Sequence, residues 1–226
     1  NKALFAAKGI AKPTNFTEML AAARALHDPT RGVVGFAARG LKNANTPVWT
    51  GLLLGHGEDA IDTDGTFHTD GPEAIAAAQL YQTLDRDYGP QGVVGFNWYQ
   101  CQAAFIQGKA AMFVDTDTVG AAASDPTKSR IVDQVGYSVY PAGPKAHVAP
   151  MYADGIGIPA GSRKKGPAWL YVQWATNSRN QVDLVANGVG SPIRPSAYNA
   201  LKPMKRGRIT DEWVEALTDT RRIAKP

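Results

Sequence analysis

The chain has 226 residues, 44% of them apolar and 19% charged, which is enough apolar material for a sizeable core and excludes a globally disordered chain. Its 24 Lys and Arg against 20 Asp and Glu give a net charge of +4 with no block of like charge, which argues against a nucleic-acid binder. A single cysteine excludes an internal disulfide framework and any multi-cysteine zinc or iron–sulfur centre.

The first predicted helix begins at Asn15. Asn15-Phe16-Thr17-Glu18 fits a capping box, and Phe16, Met19, Leu20, Ala23 and Leu26 follow at helical spacing until Asp28-Pro29 stops them. Residues 32–38 read as a short buried strand, 41–46 as polar loop, and 49–54 as the start of another helix. Asp62-Thr63-Asp64-Gly65 and Asp70-Gly71 punctuate a hairpin-like segment. Pro72 opens a helix whose Ala77, Leu80, Tyr81, Leu84 and Tyr88 share one face. A further helix runs from about 98 to 107, is closed by Gly108 and feeds a strand at 110–114. Strands are predicted at 134–140 and 151–159, separated by Pro141-Ala142-Gly143-Pro144, a crossover or hinge. Helices are predicted at 168–175, 179–186 and 210–217, with a break at Ser191-Pro192-Ile193-Arg194-Pro195. The elements mix without strict alternation, which predicts an α/β architecture with a small sheet and many flanking helices.

No run approaches the ~18 consecutive apolar residues of a membrane helix, and no charged segment leads into an apolar one as in a signal peptide. The chain opens on Asn1 rather than Met, so the expectation is a cleaved leader or a piece of a longer protein.

Most catalytic signatures are missing. His27, His56, His68 and His147 lack metal-ligand spacing, and His56-Gly57-Glu58 has the H-x-E of zinc deaminases without their paired cysteines. Cys101 has no local base and reads as a small buried hydrophobe. Gly155-Ile156-Gly157-Ile158-Pro159-Ala160-Gly161 places a proline where a dinucleotide-binding helix would start, Gly108-Lys109-Ala110 is not a phosphate loop, and Gly65 comes too early for an EF-hand. The enzyme reading that survives is a glycoside hydrolase using Asp115 with a partner carboxylate such as Asp117, although nothing marks either for acid duty. No cofactor and no metal is implied.

The segment Ala104-Phe105-Ile106-Gln107-Gly108-Lys109-Ala110-Ala111-Met112 closely resembles the F-x-x-G-K-A-A-M stretch of family 1 extracellular solute-binding proteins, the receptors of ABC-type sugar importers. Other segments agree in order: Asn1-Lys2-Ala3-Leu4-Phe5 with Gly9-Ile10; Pro13-Thr14-Asn15-Phe16-Thr17-Glu18-Met19-Leu20, with Phe16 in place of the usual Trp; Gly55-His56-Gly57-Glu58-Asp59; and Ile158-Pro159-Ala160-Gly161-Ser162 followed by Ala168-Trp169 and Trp174. Arg39-Gly40, Asn97-Trp98-Tyr99 and Val114-Asp115-Thr116-Asp117 resemble the sorbitol/mannitol-type members.

The resemblance implies a periplasmic-binding-protein-like (type II) α/β fold, with two lobes and the solute in the cleft between them. It further implies a fragment: residues 1–145 as the second, C-terminal lobe, 148–188 as a crossover strand and helices belonging to the first lobe, and 190–226 returning to the second. Its partners would be a small carbohydrate or polyol and the transmembrane subunits of an ABC permease, with no nucleic acid and with a possible dimer of the fragment through the exposed lobe face. The location would be periplasmic, or lipid-anchored at the cell surface.

Sugars are held by aromatic stacking on their C–H faces and by planar polar groups on their hydroxyls. The ligand candidates are therefore Arg39, Trp49, Trp98, Asp115, Asp154 and Arg194, each at or near an element end that the resemblance turns toward the cleft. Two of them also have a named ordinary alternative: core packing for Trp98 and a surface ion pair for Arg39. Asp117 reads as a helix cap, and Trp169 and Trp174, at helical spacing, as core.

Overall fold

The structure, a computed structural model, describes residues 1–151, 154–187, 189–201 and 210–225. Helices dominate these residues. Helix α1 (Lys2–Lys8) is capped by the Asn1 side chain and ended by Gly9 in the left-handed region at φ 64°. Helix α2 (Phe16–Leu26) starts as predicted, with the Glu18 amide donating to Asn15 Oδ1 at 2.9 Å. The return arm differs: the Glu18 carboxylate accepts from the amide and hydroxyl of Thr14, each at 2.8 Å. Helices α3 (Thr46–Gly55) and α4 (Pro72–Tyr88) both carry proline in the first turn, where its missing N–H costs nothing. Helix α5 (Trp98–Ile106) is followed by Gly108 at φ 77°. The hairpin signal between α3 and α4 is also realised: Ile61 bridges Phe67 antiparallel across a turn in which Gly65 takes φ 88°.

The predicted sheet is largely replaced by extended chain. Among the described residues the single ladder joins β1 (Ala149–Pro150) to β2 (Ala224–Lys225), parallel, with Ala149 opposite Ala224. Segments 33–39 and 109–115 do run side by side: Val34 N donates to Lys109 O and Ala111 N to Val34 O, both at 2.9 Å, and Val114 N to Ala37 O at 3.0 Å. They fall short of strands because intervening amides are diverted to helices. The Phe36 amide donates to the Tyr88 carbonyl at 3.1 Å, and the Gly35 amide to His27 Nδ1 at 3.4 Å. Within the strand predicted at 151–159, Tyr152 and Ala153 lie outside the described residues, and 154–159 form no strand.

The C-terminal third carries α6 (Lys165–Thr176), α7 (Ser178–Ala186), α8 (Pro195–Leu201) and α9 (Asp211–Arg222). Three main clusters form the core. Phe16, Met19, Phe36, Leu52, Leu53, Ala77 and Leu84 join α2, α3 and α4 around the segment 36–38. Ala37, Cys101, Phe105, Ala110, Ile131 and Val135 form a second cluster on the other side of that segment. Val182, Val185, Tyr198, Leu201, Trp213 and Leu217 join α7, α8 and α9, and Tyr137 packs against both this cluster and the second. Trp169 and Trp174 depart from expectation: they are 54% and 59% exposed, on a helix that buries none of its residues. No helix among the described residues is long and apolar enough to cross a membrane.

Candidate functional site

The two parallel extended segments end side by side, and this pairing brings together residues far apart in sequence. Arg39 closes the first and Asp115 the second. Arg39 Nε donates to Asp115 Oδ2 at 2.8 Å and its Nη2 to Oδ1 at 2.5 Å, a two-pronged ion pair. The side chains are 10% and 1% exposed, so the fork is shut off from bulk water. Asp115 Oδ1 also accepts from the Thr116 amide at 2.7 Å.

Two helices hold this corner. From α4, the Tyr81 hydroxyl donates to the carbonyl of Arg39. From α5, the Cys101 thiol donates to the carbonyl of Ala38 at 3.0 Å. Burial, with Asp115 and Asp85 adding repulsion, pushes the Cys101 thiol up to about 12, so it is a packed thiol and no nucleophile. Helix α5 is fixed by a reciprocal cap: the Asn97 amide donates to Gln100 Oε1 and the Trp98 amide to Asn97 Oδ1, both at 2.8 Å. Trp98 opens α5, one turn ahead of Cys101. It is 40% exposed and packs edge-on against Tyr99, with ring centroids 5.6 Å apart. The 3-10 helix Asp117–Ser124 packs on α5 and is capped by the Thr116 hydroxyl, which accepts from Thr118 N at 3.1 Å, so Thr116 fills the capping role predicted for Asp117. The result is a buried charge pair continued by a polar turn, with an exposed aromatic pair at the start of the helix that holds the Ala38 carbonyl.

Of the predicted ligand residues, the structure brings Arg39 and Asp115 together. Trp49 is half-buried against the α2–α4 core. Arg194 is exposed and tied elsewhere, its Nε donating to the Thr176 carbonyl at the end of α6. Asp154 is exposed, directly after the undescribed Tyr152 and Ala153. Among the described residues no cluster of three His, Cys, Asp or Glu is placed to hold a metal.

Sequence reading missed Tyr81 and Asp85 as members of this corner. Their spacing of four on α4 was the available signal, since it sets a carboxyl under a phenol on an otherwise apolar face. Asp85 is 9% exposed, its Oδ1 has no hydrogen-bond partner in the structure, and burial pushes its pKa up to about 7, with the neighbouring Tyr81 hydroxyl opposing the rise. A carboxyl that holds its proton longer in the folded chain than in the unfolded one makes stability fall as pH rises between about 4 and 7. Asp85→Asn should abolish that slope and raise stability at pH 8 by about 1–3 kcal/mol, as read by urea denaturation across pH.

Residues 1–182 match the family model described as bacterial extracellular solute-binding protein. The chain is 28% identical over 208 residues to an erythritol/L-threitol-binding protein of Mycolicibacterium smegmatis, covering 88% of this chain and 43% of the relative. It is 26% identical over 238 residues to a mannitol-binding protein of Pseudomonas aeruginosa, covering 100% of this chain and 54% of the relative. A solute-binding protein of Agrobacterium radiobacter in complex with ribitol superposes with a TM-score of 0.87 at 26% identity, over 98% of this chain and 55% of that one. Maltose-bound MalE3 of T. maritima superposes at 0.85 with 22% identity, over 100% of this chain and 58% of that one, a likeness of fold. The chain spans about half the length of the curated relatives it matches.

These superpositions correct the expectation of a fragment reduced to the C-terminal lobe with crossover elements of the other. They place nearly the whole chain on the type II periplasmic-binding-protein-like α/β fold. The physical reason lies in the packing: β1 is bonded to β2 near the far end of the chain, and Tyr137 ties the α7–α9 cluster to the body formed by the earlier residues.

Proposed function

Because the chain belongs to the bacterial extracellular solute-binding protein family, we propose that it captures a neutral polyhydroxylated solute, a sugar alcohol first of all, and presents it unchanged to an ABC permease. Its place of work would be the periplasm or the outer face of the cell membrane. The observation that carries this reading is the buried Arg39–Asp115 fork at two paired segment ends, one of which α5, the helix opened by the exposed Trp98–Tyr99 pair, holds through Cys101. An aromatic face takes the C–H side of a polyol, while Thr116, Asp117 and Thr118 offer hydroxyl and carboxylate partners to its O–H groups. The fork beneath fixes the two segment ends and so the spacing of the rim. A solute that bridges the two sides of a cleft favours the closed state and needs no chemistry to do so.

Relatives named for erythritol, L-threitol and mannitol, and a ribitol complex, support a linear polyol over an oligosaccharide. The glycoside-hydrolase alternative through Asp115 loses its basis. Both carboxylate oxygens are engaged and the side chain is 1% exposed, so it is placed neither to protonate nor to attack a glycosidic oxygen or carbon.

Calorimetric titration with erythritol, ribitol and D-mannitol tests the proposal. Heat of binding to one of them is expected, and Trp98→Ala should weaken it about tenfold while leaving the urea midpoint nearly unchanged. Silence with all three, or release of reducing sugar from a glycoside, contradicts it.

A further inference from the structure

The corner behind the rim contains a proton-sharing problem. Tyr81 has one hydroxyl proton, and it is donated to the Arg39 carbonyl. One turn along α4, Asp85 lies close enough to raise the titration of that hydroxyl, while its own Oδ1 is buried with no hydrogen-bond partner. A protonated Asp85 can donate to the Tyr81 oxygen and leave the phenolic proton on the Arg39 carbonyl, giving a relay in which every donor has an acceptor. An ionised Asp85 can only accept. It then competes with the Arg39 carbonyl for the single phenolic proton, and a charged acceptor is the stronger competitor.

We propose that Asp85 is a proton-linked positioning residue of the binding corner: it secures Arg39, through Tyr81, when protonated and loosens that hold when it ionises to solvent. This inference rests on the proposed polyol site, whose floor the Arg39–Asp115 fork forms. The surroundings of Asp85 suit the role. Helix α3 packs against α4 without a single ionisable side chain, and Asn45 at its start is neutral. Helix α2 and its C-cap bring Arg24, which donates to the Tyr88 hydroxyl, and His27, whose Nδ1 accepts from the Gly35 amide. Helix α5 brings Cys101, whose thiol feels the charges of both Asp85 and Asp115. Arg39 and Asp115 are the remaining charges at the corner, and they are committed to each other. Burial raises the titration of Asp85 to about 7, which puts the change within reach of ordinary conditions.

The test follows the Arg39 Nε–H resonance by NMR as pH is raised, with Arg39→Lys identifying the signal, and measures D-mannitol and ribitol affinity over the same range. In the unaltered chain the resonance should move with a midpoint near neutrality. Affinity should fall about fivefold from acid to alkaline pH, the worth of one hydrogen bond. In Asp85→Asn, which mimics the protonated form, and in Tyr81→Phe, which cuts the relay, both readouts should be flat. A resonance that moves equally in Asp85→Asn, or one that never moves while mannitol binds with constant affinity, overturns the proton linkage and leaves the polyol reading standing. A resonance that titrates and is silenced by Asp85→Asn, with no binding of either polyol at any pH, upholds the linkage and overturns the polyol reading instead.

Discussion

Asp115→Ala is expected to cost about 3–5 kcal/mol of stability, because it strips a buried guanidinium of its counter-charge. Arg39 is 8% exposed as a residue, and its fork to Asp115 supplies two hydrogen bonds at 2.8 and 2.5 Å. Removing the carboxylate leaves a positive charge in a site built to exclude water, and the Thr116 amide loses its acceptor as well. Arg39→Ala should be comparably severe, since it leaves Asp115 ionised at 1% side-chain exposure. The double variant should cost much less than the two single changes together, because it removes both charges at once; the coupling should reach about 2–3 kcal/mol. Urea denaturation of the four proteins gives the cycle directly. Additive effects would mean that the fork contributes no more than a surface pair does.

Gly35→Ala should cost more than about 3 kcal/mol, for a steric reason with no side chain to absorb it. A Cβ built at Gly35 would lie 1.9 Å from the Ala23 carbonyl oxygen and 2.7 Å from its carbon, both backbone atoms of α2. Helix α2 would have to move off the extended segment that carries Phe36, Ala37, Ala38 and then Arg39, disturbing the cluster around Phe36 and the placement of the fork together. Gly166→Ala is the matched control. It lies in α6 with nothing within 4 Å of a new Cβ, and alanine there should stabilise by up to about 1 kcal/mol. Equal thermal shifts for the two changes would remove the close-approach argument.

What the sequence disclosed follows the range of the interactions. The Asn15 cap, the proline-led helix at 72, the Gly108 exit and the turn around Gly65 are set by neighbours a few residues away, and their signals are local, whereas the helix read from 49 starts at Thr46, inside the segment read as loop. The Asn97–Gln100 box carries the same kind of local signal as Asn15–Glu18 and was equally open to sequence reading. The missing strands have a non-local cause: the amides of Gly35 and Phe36 go to His27 and Tyr88, partners that no alternation pattern reveals. The site shows the same contrast. Arg39 and Asp115 were legible as polar residues at element ends, but their pairing was not, because the fork joins positions 76 residues apart. Trp169 and Trp174 mislead in the opposite direction, with core spacing on a helix that buries nothing.

The most direct measurement is the crystal structure of this chain grown with D-mannitol or ribitol. The account predicts polyol density against the Trp98 ring, with hydroxyls within hydrogen-bonding reach of residues 116–118 and the Arg39–Asp115 fork intact beneath. A polyol seated on another face of the molecule, with the Trp98 rim empty, would contradict it.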